Sequence, residues 1–150
     1  MAGTFLRARA GGTGHGAAPL SGGEVDAVTV GRRIWAIAEG YIPSGSVSDA
    51  HDLISHEAFC VLNAGEEPAE ITVTLFFTDR EPAGPYRMRV EPRRTQHFRF
   101  NDLTDPEPVP RDTSYASFIE SSVPVVVQHT RLDSRDPHIA LLSTIAFSEG

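Results

Sequence analysis

From Val30 onward the chain never sustains a helical period: short apolar runs alternate with turn clusters, at spacings that suit strands. The sharpest run is Glu70 to Thr78. Ile71, Val73, Leu75 and Phe77 fall on one face, and Glu70, Thr72, Thr74 and Phe76 on the other. The segment Asp79 to Pro85 then forces a turn, and Tyr86, Met88 and Val90 alternate with Arg87 and Arg89, which predicts a hairpin. The same reading predicts strands over Arg33–Glu39, His56–Asn63, Arg94–Phe100, Ser114–Glu120, Val125–Leu132 and His138–Phe147. The last of these reads as helix on propensity alone. Pro124 is expected just before a strand, where a missing N–H is tolerated. Asn101–Asp112, with three prolines and four acids, is expected to be a long surface loop. About eight short strands and no amphipathic helix predict an all-β fold, a single-domain antiparallel β-sandwich of jelly-roll type.

Length allows one such domain, since 150 residues with 40% hydrophobic content build one core. Residues 1–28 are rich in Gly and Ala without periodicity, so a disordered N-terminal tail is expected there, with the domain over residues 29–150. Acids outnumber bases 20 to 13, and the net charge of -7 disfavours nucleic acid as a partner. Every base is arginine, in line with GC-rich codon usage. The one cysteine, Cys60, sits in an apolar run and excludes an internal disulfide. No run reaches the roughly 18 apolar residues of a membrane helix, and the N-terminus has no secretory apolar core, so a cytoplasmic location is expected.

Function is most legible in Pro124 to Arg135, PVVVQHTRLDSR. Val125 and Val127 share a strand face with His129 and Arg131. A core does not need that histidine and arginine, so a carboxylate, a subunit interface or a ligand must meet them. Asp133, two residues beyond Arg131 on the same face, is one candidate partner. Trp35, Glu39, His56, Asn63, His97, Asn101, Gln128, His129, Arg131 and Asp133 form the candidate ligand-binding set. Amides, imidazoles, a guanidinium and an aromatic plane are what a hydroxylated small molecule needs. The competing explanation is polar ties between strands or subunits.

Other chemistries have less support. His56, His97 and His129 with Glu57 would make a cupin-like metal site if the sheet brought them together, but no two histidines have a short ligand spacing. No serine sits in a nucleophile elbow, and Asp102, Asp105 and Glu107 stand in a solvated loop. Neither a metal, a cofactor nor catalytic residues are therefore expected, with a cupin-like metal-dependent enzyme kept as an alternative.

Several blocks resemble the Anabaena sensory rhodopsin transducer family: RIWAIAEGYIP from Arg33 to Pro43, ISHE from Ile54, CVLNAG from Cys60, GPYR from Gly84, RFNDL from Arg99, and QHTRLDSR from Gln128, followed by ALLSTIA from Ala140. The resemblance spans about residues 30 to 147. It implies a small soluble β-sandwich that assembles as a homotetramer, without enzymatic activity. It also implies either a membrane rhodopsin as partner or a role in binding a small polar ligand, a sugar or sugar derivative, for signalling. The segment 1–28 and the loop Ser44–Asp52 depart from the family pattern.

Overall fold

The computed structural model describes residues 29–149, so the expected tail over residues 1–28 lies outside the described residues. Seven strands make up the fold: β1 Arg32–Tyr41, β2 His56–Asn63, β3 Ala69–Phe77, β4 Ala83–Val90, β5 Arg94–Arg99, β6 Ser114–Asp133 and β7 Ala140–Ile145. All pairings among them are antiparallel. Single 3-10 turns at His51–Leu53 and Phe100–Asp102 are the only helical pieces among the described residues. No helix there is long and apolar enough to cross a membrane.

The two strands expected over Ser114–Glu120 and Val125–Leu132 are one continuous 20-residue strand. Its first half lies between β1 and β3, and its second half between β2 and β7. β6 therefore belongs to two sheets, β4-β3-β6-β1 and β5-β2-β6-β7. Pro124 does not end the strand because its missing N–H falls in the change of partners: pairing with β3 stops at Ser121 and pairing with β2 begins at Val126. The predicted hairpin is present as β3 and β4. The C-terminal run is a strand because its backbone completes an edge of β6, whatever its helical propensity.

Period two decides which side chains meet. Ile71, Val73 and Leu75 of β3, Ile119 of β6 and Trp35 and Ile37 of β1 face inward from one sheet. Phe59 and Val61 of β2 with Val125 and Val127 of β6 face them from the other. An aromatic chain runs through this core. Phe59 contacts Phe98 and Phe100 at 5.3 and 5.0 Å between ring centres, and Phe100 contacts Tyr115 at 5.4 Å.

Gly40 is a tight point of that packing, because a Cβ there would come within 2.3 Å of the Tyr115 ring. Gly40→Ala is expected to cost about 1–3 kcal/mol, the usual cost of overpacking, and urea denaturation measures it. A stability equal to wild type would mean that the Tyr115 ring moves freely.

Candidate functional site

The face that carries Val125 and Val127 leads to His129 and Arg131, and a carboxylate meets both: Glu57. Phe59 is the register partner of His129, and Glu57 that of Arg131. Two-residue spacing along β2 thus puts an acid on the apolar face, where its side chain is fully buried. Four donors satisfy it. Tyr41 N–H (2.8 Å) and Arg131 Nε donate to Oε1, while Tyr115 Oη (3.2 Å) and His129 Nε2 (3.1 Å) reach Oε2. Asn101 Oδ1 accepts the Glu57 backbone N–H at 3.2 Å, and Asn101 Nδ2 donates to Ser55 O at 3.1 Å.

The electrostatics follow from this saturation. Burial alone would push the Glu57 carboxyl up, but the hydrogen bonds from His129, Tyr41 N–H and Arg131 outweigh it and hold the group below its ordinary value. Tyr115 is pushed far up, first by burial and then by the charge of Glu57, so its hydroxyl remains a donor. Burial works against the charge of Arg131, and Glu57 and then Glu39 more than restore it. A carboxylate with its acceptor positions filled and its affinity for protons lowered is an anchor, poorly suited to act as a general base.

Above this anchor lies a groove of about 290 Å³ between β1 and β7, lined by Ala38, Glu39, His129, Arg131, Leu142 and Thr144 among others. Arg131 is the group that links floor and groove. Its Nε is bound to Glu57, its Nη1 reaches the exposed Glu39 at 3.3 Å, and its Nη2 is buried without a hydrogen-bond partner. A guanidinium with unused donors beside hydroxyl, carboxylate and aliphatic side chains can hold a small polar molecule through its oxygen atoms.

Of the ten predicted site residues, Glu39, His129 and Arg131 come together here, and Asn101 supports them through the Glu57 backbone. The others lie elsewhere. Trp35 is a core residue whose Nε1 donates to Arg32 O at 3.0 Å. Asn63 is fully buried and ties a turn: Nδ2 donates to Glu67 O and Val90 O (2.8 and 3.2 Å), and Oδ1 accepts Gly65 N–H (3.0 Å). Gln128 faces outward and donates to Ser143 Oγ at 2.6 Å. Asp133 pairs with Arg135 at 2.6 Å instead of the Arg131 that the spacing proposed, because Glu57 already holds the Arg131 Nε.

The cupin-like cluster does not assemble. His97 pairs in register with Cys60, on the face of β2 opposite to Phe59, and its Nδ1 lies 3.0 Å from Cys60 Sγ. His56 shares the parity of Cys60 and is bound through Nδ1 to Ile54 O at 2.7 Å. Both are separated from His129 by the sheet. No group of three or more His, Cys, Asp or Glu among the described residues is placed to hold a metal. Glu57 is the residue that the predicted ligand set omits, and its signal was the two-residue spacing with Phe59 and Val61.

The family model for the Anabaena sensory rhodopsin transducer matches residues 30–148. Among solved structures, the Anabaena sensory rhodopsin transducer is similar at 53% identity with a TM-score of 0.62, covering 69% of this chain and 100% of that one. The Thermotoga maritima protein 1070 is similar at 36% identity with a TM-score of 0.71, covering 79% of this chain and 96% of that one. No curated protein matches the chain. The match over residues 30–148 includes Glu57 and the β1 and β6 residues that hold its carboxylate, and the chain belongs to the Anabaena sensory rhodopsin transducer family.

Proposed function

We propose that this chain is a non-enzymatic cytoplasmic binding protein that holds a small polar ligand, of the sugar or sugar-acid class, in the groove above His129 and Arg131. Binding is then signalled through a change in homotetramer assembly or in partner contact. One observation carries the reading: the Arg131 guanidinium, which lines a groove, is locked to buried Glu57 through Nε, while its Nη1 meets only the exposed Glu39 and its buried Nη2 has no partner. Locking one edge lowers the entropy lost when the other edge binds. A thermal-shift screen of neutral sugars and sugar acids, including glucose and glucuronate, tests it. A ligand at about 100 times its Kd is expected to stabilise the protein by roughly 2.7 kcal/mol. A flat response across the panel would count decisively against the reading.

A second reading, docking on a membrane photoreceptor, is favoured by the 53% identity over the whole of the Anabaena transducer. Co-purification with a detergent-solubilised rhodopsin tests it, and absence of retention at low salt rejects it. Docking on DNA is opposed by the net charge of -7.

A further inference from the structure

A larger groove, about 530 Å³, opens at the start of β1 and is lined by Arg32, Arg33, Ile34, Trp35, Phe118 and Phe147 among others. Its apolar wall is formed by side chains that a folded chain ordinarily covers. Ile34 is 54% and Phe147 66% exposed. The wall is nevertheless fixed in place, because Phe147 forms a two-way backbone bridge with Ala36 (2.8 and 3.0 Å) and Ala36 pairs in register with Phe118. At the rim stand Arg32 and Arg33. Arg80, Arg89, Arg99, Arg131 and Arg135 each meet a carboxylate within salt-bridge distance. Among the described residues Arg32 and Arg33 meet none, and the one hydrogen bond recorded for their side chains runs from Arg32 to Gly31 O. Arg87, Arg93, Arg94 and Arg111, exposed like Arg32 and Arg33, also meet no carboxylate among the described residues, but none of them lines this groove.

We propose that this groove binds an amphipathic organic monoanion, a carboxylate or sulfonate carried on a ring or a short aliphatic chain. The apolar wall takes the body and the arginine pair takes the head, since a guanidinium matches two anionic oxygens at once. The volume lies in the range of small-molecule sites, which is why the occupant is a small molecule and not a protein segment. Exposed Glu149 lines the groove and exposed Glu120 is the register partner of Ile34. These two acids favour a singly charged head over a phosphate. The site is independent of the groove above Arg131, although Ala36 and Phe147 border both.

Fluorescence titration of the full chain with 8-anilinonaphthalene-1-sulfonate, an amphipathic monoanion, tests the proposal. Saturable binding is expected, displaced by octanoate and not by octanol. In R32Q/R33Q the affinity is expected to fall about tenfold or more, as loss of a charge-assisted hydrogen bond implies. Arg87→Gln, which alters an exposed arginine outside this groove, is expected to bind the dye as wild type does. The competition arm uses wild-type protein alone, so it stands even if a variant fails to fold. Non-saturating binding, equal displacement by octanol and octanoate, or an unchanged affinity in folded R32Q/R33Q would overturn the proposal.

Discussion

Glu57→Ala is expected to destabilise the protein by about 3–5 kcal/mol, because removing one partner of a buried ion pair leaves the other charge without compensation. Arg131 Nε, His129 Nε2, Tyr115 Oη and the Tyr41 N–H would all lose their acceptor together. Glu57→Gln keeps the shape and part of the hydrogen bonding, so a smaller loss is expected. Chemical denaturation of both variants measures the difference, and a loss under about 1 kcal/mol for Glu57→Ala would mean that water replaces the carboxylate without cost. The same site sets an acid dependence. The folded-state affinity of Glu57 for protons is below its ordinary value. Its contribution to stability is therefore complete above the ordinary carboxylate value, about pH 4.3, and is lost as pH falls through the lowered folded value. The unfolding midpoint of wild type is expected to fall below about pH 4.3 more steeply than that of Glu57→Gln.

Phe59→Ala is expected to cost a comparable amount, about 3–5 kcal/mol, as large-to-small changes of buried aromatics do. Phe59 is fully buried, touches Phe98 and Phe100, and stands opposite His129 in the register. The cavity would open beside the polar cluster, so His129 would lose its packing as well as the core its aromatic contact. Phe59→Leu, which refills most of the volume, is expected to recover over half of the loss in the same denaturation experiment. Equal losses in the two variants would place the cost in the ring contacts and not in the cavity.

Alternation made most of the fold legible. Glu70–Thr78 declares its two faces residue by residue, and β3 pairs with β4 as the intervening Pro/Gly turn requires. The continuity of β6 was hidden because Pro124 reads as a boundary wherever partners are unknown, and only the exchange of β3 for β2 makes the missing N–H harmless. In the site, the parity of Val125, Val127, His129 and Arg131 correctly required something to meet the polar pair. Identifying that partner needed the register of β2 on β6, which local sequence does not specify. Asp133 was the nearest acid in sequence, whereas Glu57 is the acid in register. Asn63, His97 and Gln128 carry the donors and acceptors of a ligand site, yet their partners are a turn backbone, a thiol and a neighbouring hydroxyl. Type and polarity alone could not separate those ties from a binding group.

The groove above Arg131 is tested most directly by isothermal titration of the best stabilising sugar or sugar acid from the screen into wild type, Arg131→Gln and Gln128→Ala. Gln128 faces the opposite side of the sheet from Arg131, so it serves as the internal control. The account predicts that Gln128→Ala binds as wild type does and that Arg131→Gln binds at least about tenfold more weakly, the loss of a charged hydrogen bond. Equal binding by all three proteins, with Arg131→Gln folded, would contradict it.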